Sequence, residues 1–246
     1  MSSNSMRVSL NGGVAVVTGA GGGIGAAIAT GLVAEGVTVF LVGRKRERLE
    51  AAASLSNTGH ARVFPADLTR SDDIQALHSK IQQEFGRLDL LVHSAGVISH
   101  STVEQGSVQE FDAQYAANVR APYLLTQTML PLLKNCQGQL VFINSSAGLA
   151  ARPNTSQFCA TQHAFKALAD SLRAEVNGDG IRVLSVYPGR TATSRQAAMY
   201  AKTGSEYRPE LLLQPEDIAA VVLNAVSLPR TAEVTDISIR PMQKSY

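Results

Sequence analysis

The chain predicts an α/β fold of a single domain spanning residues 1–246, a doubly wound (Rossmann) and mainly parallel sheet with helices on both faces. Three observations predict it. Short apolar runs rich in β-branched residues alternate with longer amphipathic segments. The first apolar run leads straight into a glycine-rich turn and then a helix. A length of 246 residues at 45% hydrophobic side chains suffices to bury one large core.

In chain order, strands are expected over residues 14–18, 37–42, 62–64, 88–93, 140–143 and 181–187, and helices over 24–35, 47–55, 72–85, 108–133 and 157–176. The strand runs are short and mostly without polar alternation, as in a sheet covered on both faces. Pro215 followed by Glu216 and Asp217 reads as a further helix start, because proline is tolerated in the first turn and acids suit the positive end of the helix dipole. Residues 233–240 alternate as a last strand near the sheet edge. Residues 1–11 are polar and Ser-rich and are expected to fray, and residues 190–213 to form a substrate lid.

A formal net charge of +2 is too weak and too evenly spread to call for nucleic acid or an anionic membrane. There is no uninterrupted apolar span of membrane length and nothing resembling a signal peptide. Cys136 and Cys159 are too few for a disulfide framework. A reduced, cytoplasmic protein is the expectation.

Between the first strand and first helix lies Thr18-Gly19-Ala20-Gly21-Gly22-Gly23-Ile24-Gly25. Glycines there let the chain turn tightly and approach a pyrophosphate, which the free N–H groups at the helix start then hold. After the second strand an acidic residue would bond a ribose 2′-OH and repel a 2′-phosphate; here Gly43 stands at that position and Arg44 and Lys45 follow. A guanidinium pairs a phosphate bidentately, so NADP(H) is favoured over NAD(H).

With these segments in place the chain resembles the short-chain dehydrogenase/reductase family from about residue 14 to 241. The glycine loop matches T-G-x-x-x-G-x-G, so the resemblance implies cofactor contacts from Gly19, Gly21, Gly23, Ile24 and Gly25. Asp67 and Leu68 match the adenine-pocket position after the third strand, and Ser94, Ala95 and Gly96 the small residues that end the fourth. His93 stands there in place of an Asn, and reads as a histidine satisfied within the sheet end. Asn118 matches the structural Asn, Ser145 the catalytic Ser, and Pro188 and Gly189 the turn beside the nicotinamide. Thr191 and Thr193 fall in the cofactor-contacting threonine region.

Ser145 and Asn118 together fix the register of the family's catalytic Tyr and Lys, which falls on Phe158 and Gln162. In the family the Tyr gives a proton to the substrate carbonyl, the Lys lowers that Tyr's pKa and holds the nicotinamide ribose, the Ser polarises the carbonyl, and the Asn holds a water. Phe158 has no transferable proton and Gln162 no charge, so ordinary carbonyl reduction is expected to be crippled. His163 projects to another side of its helix, and Tyr187, Tyr200 and Tyr207 have no spacing that places them at the carbonyl.

The lid carries Met199, Tyr200, Tyr207 and Leu211 to Leu213, which suggests a small or medium, partly apolar substrate. His100, Leu149 and Arg152 are further candidates to face that pocket. The helices over 108–133 and 157–176 resemble those the family uses to build homodimers and homotetramers. Three readings stay open: an NADP(H)-dependent carbonyl reductase or alcohol dehydrogenase scaffold disarmed at two positions; a non-redox isomerase, lyase or cyclase in the same pocket; and a non-catalytic NADP-binding protein or subunit.

Overall fold

The computed structural model describes residues 8–55 and 59–243. The strands β1 (Val14–Thr18), β2 (Thr38–Gly43), β3 (Ala61–Pro65), β4 (Leu90–His93), β5 (Gln139–Ile143), β6 (Arg182–Pro188) and β7 (Asp236–Ile239) form one sheet in the order β3-β2-β1-β4-β5-β6-β7. Every pairing is parallel. Successive side chains of a strand point to opposite faces, so the same apolar runs feed two cores. Val14, Val16, Phe40, Val42, Leu91, Leu140 and Phe142 face one side, where α3 (Ser71–Glu84), α5 (Ala121–Lys134) and α6 (Ser156–Val176) cover them. Ala15, Val17, Val39, Leu41, Val92, Val141 and Val186 face the other, beneath α1 (Gly23–Ala34), α2 (Arg46–Ala53) and α8 (Pro215–Val226). Each large aliphatic side chain so buried contributes about 1.5–3 kcal/mol.

The helix expected over 108–133 is interrupted. α4 (Val108–Tyr115) passes into a π-helical turn, Ala116–Arg120, before α5 begins. Pro122 has no N–H to give to the Asn118 carbonyl, and its ring would press on that carbonyl in a regular helix. Widening the turn by one residue relieves both problems, and the Ala121 N–H bonds to Ala116 O instead.

Two further segments have structure of their own. Of residues 1–11, residues 1–7 lie outside the described residues, but Val8 is tied down through its N–H to Ser227 O at 2.7 Å, and Leu10 packs against the core. Residues 190–213 hold a helix of their own, α7 (Ser194–Thr203), and a single 3-10 turn, Pro209–Leu211. The base of this segment is closed where Thr191 pairs with Leu213, with Ala192 N–H donating to Leu213 O at 2.7 Å. No helix among the described residues is long and apolar enough to cross a membrane.

Candidate active site

The strand order reverses between β1 and β4, and a crevice opens where a doubly wound sheet does so. Thr18 staples the two strand ends together. Its Oγ1 donates to Val92 O at 3.2 Å and accepts from the N–H groups of Ser94 and Ala95 at 2.9 and 3.0 Å. The glycine loop is pressed against this junction. At Gly19, whose φ is +69°, a Cβ would lie 2.9 Å from Ala95 N and Ser94 O, and at Gly25 a Cβ would lie 2.6 Å from Gly19 O. Neither position admits a side chain. A Cβ at Gly21 would meet the Arg48 stem at 3.1 Å, whereas one at Gly22 would meet nothing within 4 Å. No side chain caps the first turn of α1, so the N–H groups of Gly23, Ile24 and Gly25 point toward the crevice without a side-chain cap.

Past β2, Arg44 and Lys45 are exposed, and among the described residues neither makes an ion pair. Asp67 faces them across the end of β3. Its Oδ1 accepts from the hydroxyl of Thr69 at 2.8 Å and the N–H of Thr69 at 3.0 Å. These bonds, and behind them the charge of Arg44, hold its carboxyl below the usual carboxylate range. Leu68 packs against the α3 side of the core.

The sequence-predicted polar residues converge between β5 and the start of α6. Ser145 follows β5 in extended backbone; its N–H donates to Asn144 Oδ1 at 2.7 Å, and its Oγ accepts from Ala147 N–H at 3.1 Å. The hydroxyl proton of Ser145 is therefore left to donate elsewhere. Asn144 Nδ2 donates to Gln162 O at 3.1 Å, which fixes Ser145 against α6. Asn118, in the π turn, accepts from Val97 N–H at 2.8 Å and donates to Val97 O at 2.9 Å and Thr161 Oγ1 at 3.1 Å. Thr161 in turn donates to Phe158 O at 2.8 Å. Phe158 is half-buried in the first turn of α6, and Gln162 is buried one turn further on, its side-chain amide without a hydrogen-bond partner among the described residues. Sequence reasoning did not single out Thr18, Asn144, Thr161 or the pair of buried Gln114 and half-buried Gln157, bonded at 3.0 Å. Their signal was too weak: ordinary polar residues whose partners lie up to 77 positions away.

The remaining titratable candidates sit elsewhere. His93 is buried, with Nε2 2.8 Å from Thr126 Oγ1 and its ring against Phe142 and Phe165. Burial pushes its pKa down to about 3, so it is neutral and structural. His163 is exposed and bonds Cys159 O at 2.8 Å through Nδ1. Tyr187 is buried on β6 and donates to Asp236 Oδ1 at 3.2 Å. Tyr200 and Tyr207 stack edge to face in the lid, with ring centroids 5.5 Å apart. Leu212 and Leu213 are buried, Leu213 in the α1 side of the core, so of the lid's leucines only Leu211 remains partly open. Gly189 N–H bonds Ile239 O at 2.8 Å, which ties the turn after Pro188 to β7, and the Thr191 hydroxyl donates to Gly189 O at 3.1 Å. Thr193 caps α7, accepting from Gln196 N–H at 3.2 Å, and its methyl lies 3.0 Å from where a Cβ of Gly23 would stand. The residue that caps α7 thus packs against the glycine loop.

A wholly parallel doubly wound sheet, with a glycine-rich crossing and a polar centre at its switch point, defines a Rossmann-type α/β enzyme scaffold. A family model for the short chain dehydrogenases matches residues 13–204, and the chain belongs to that family. An uncharacterized oxidoreductase of Staphylococcus aureus (strain USA300) is 35% identical over 230 residues, covering 93% of this chain and 97% of its own. Among solved structures, a Shigella flexneri 2a short chain dehydrogenase complexed with NADP superposes with a TM-score of 0.86 at 30% identity, covering 94% of this chain and 98% of its own. A metagenomic short-chain oxidoreductase in complex with NADP gives a TM-score of 0.82 at 32% identity, over 96% of this chain and all of its own.

Proposed function

We propose that this protein binds NADP(H) at the β1/β4 crevice and holds a carbonyl–alcohol redox centre whose ordinary turnover is crippled. The residues fit the dinucleotide. The open approach at Gly22 and the first turn of α1 without a side-chain cap suit a pyrophosphate, with Gly19, Gly21, Gly23, Ile24 and Gly25 lining it. Arg44 and Lys45, unpaired and exposed beyond β2, suit a 2′-phosphate. Asp67 and Leu68 would flank the adenine; Ser94, Ala95, Gly96, Pro188, Gly189, Thr191, Thr193 and Gln162 would line the nicotinamide end. The NADP complexes of two relatives above 25% identity support this choice. Bound there, the nicotinamide supplies or accepts a hydride.

The chain's own residues explain the weak turnover. Ser145 has a hydroxyl proton to point at a carbonyl oxygen, and Asn118 spends its amide donors on Val97 and Thr161, holding the π turn that backs the centre. Phe158 occupies the general-acid position and has no proton to give, which removes about 10²–10⁴-fold in rate. Gln162 can reach a ribose hydroxyl but carries no charge to lower any pKa. The observation that carries this reading is the pairing of Phe158 with Gln162 in the first two turns of α6, held against Asn118 and Ser145 through Thr161 and Asn144. We take the substrate to be small or medium and partly apolar, with Met199, Tyr200 and Tyr207 in the lid above it. Two cysteines without a disulfide suit a reduced, cytoplasmic setting. The exposed Phe111, Tyr115 and Tyr123 suit pairing with a second copy, in a homodimer or homotetramer.

The test compares the chain with its Phe158→Tyr, Gln162→Lys double variant, following NADPH absorbance over ketones, aldehydes and diketones. The variant is expected to consume NADPH at least about 10²-fold faster on one of these substrates. Equal rates in the two proteins would remove the crippled-reductase reading. NADPH binding by both with consumption by neither would put a non-redox or purely binding role in its place.

A further inference from the structure

Arg195 is the second residue of the lid helix α7, and its guanidinium donates to Gly96 O at 2.7 Å, ninety-nine positions away in the chain. Gly96 ends the segment whose Ser94 and Ala95 are stapled to Thr18, and Thr193, two residues before Arg195, rests on the glycine loop. The side chain therefore spans the mouth of the crevice, from the lid to the end of β4. Three features mark it as more than a surface cation. It lies in the first turn of a helix with no acidic residue there, where the dipole disfavours positive charge. Among the described residues it has no carboxylate partner. A single neutral carbonyl takes one of its five N–H donors, leaving four to spend. The residue as a whole is exposed, while the protein packed around its guanidinium lowers its pKa below the usual arginine value.

We propose that Arg195 is an anion-sensing latch: it fastens the lid to the Gly96 carbonyl in the free protein and pairs the diphosphate of a bound dinucleotide. This rests on the dinucleotide reading of the crevice and extends it to a residue outside the glycine loop. Lid closure and cofactor charge are coupled through one side chain, because a carbonyl gives a guanidinium one neutral hydrogen bond where a diphosphate gives several charge-assisted ones.

The diphosphate is common to NADPH and NADH, whereas the 2′-phosphate belongs to NADPH alone, so two arginines can be told apart by direct binding. Arg195→Met is expected to weaken NADPH and NADH by the same factor, about tenfold. Arg44→Asp is expected to weaken NADPH alone. With no dinucleotide present, limited proteolysis within residues 190–213 is expected to run faster in Arg195→Met than in the unchanged chain, and Arg195→Lys to fall between them. Unchanged affinities in Arg195→Met, or a loss confined to NADPH, would overturn the anion role; equal proteolysis of the free proteins would overturn the latch. If the unchanged chain binds neither dinucleotide, the reading of the crevice fails first and the latch with it.

Discussion

His93 is a titratable side chain that its surroundings keep neutral. Packed against Phe142 and Phe165, which also contact each other, and with one hydrogen bond to Thr126, it has little to stabilise a proton, and its pKa falls to about 3. In the unfolded chain the same ring titrates near 6.5. Below that pH the unfolded state takes up a proton that the folded state refuses, so acid favours unfolding and stability is lost as pH falls from about 6.5 toward 3. Relative to His93→Asn, the unchanged chain is expected to lose about 1.4 kcal/mol per pH unit across that window, measured as the shift in urea midpoints at pH 7.5, 6 and 5. Parallel pH profiles for the two proteins would show that the ring is protonated in the folded state. Sequence reasoning anticipated a structural His93 because histidine at a strand end is more readily satisfied than catalytic, but the aromatic packing could not be read from it. Phe142 and Phe165 lie 49 and 72 positions further on, and only the sheet brings them over the ring.

Elements add what single residues cannot. The break between α4 and α5 follows from Pro122, which is visible in the sequence; where the extra residue goes is decided by Asn118, whose side chain is pinned to both backbone groups of Val97. Asn118→Ala leaves the half-buried N–H and carbonyl of Val97, and the Thr161 hydroxyl, each short of a partner. A loss of roughly 1–3 kcal/mol is expected, read as a lower unfolding midpoint with the β4–α4 connection exchanging faster in hydrogen-exchange measurements. An unchanged midpoint would mean that water replaces the amide without cost. The lid illustrates the same point. Leu211 to Leu213 read as part of a surface facing a partly apolar substrate, but the Thr191–Leu213 pairing goes with Leu212 and Leu213 buried.

At the scale of the whole molecule, seven parallel strands need an apolar layer on each face, and the helices supply both. What the single chain leaves exposed is a row of large side chains along α4 and the start of α5. Phe111 is 37% exposed, Tyr115 51% and Tyr123 52%. Their helical spacing puts them along one side of the connected helices. If the proposed second copy pairs along this row, Phe111→Glu with Tyr115→Glu is expected to give a smaller species in sedimentation velocity, with fold retained by circular dichroism. A monomeric unchanged chain would remove the pairing altogether, and an undisturbed oligomer in the double variant would place its interface elsewhere.

The sequence by itself determined the α/β class, the order of the strands, most of the helices, and where along the chain the glycine loop, Asn118, Ser145, Phe158 and Gln162 stand. These are legible because hydrophobic period and glycine spacing are local properties of the chain. The tertiary structure alone decided that Thr18 staples β1 to β4, that Tyr187 lies in the core, that Val8 and Leu10 are held, and that Arg195 reaches Gly96. Each of these depends on contacts between residues tens of positions apart, whose meeting is set by strand order and by which face of the sheet a side chain occupies, and no local pattern in the chain encodes either.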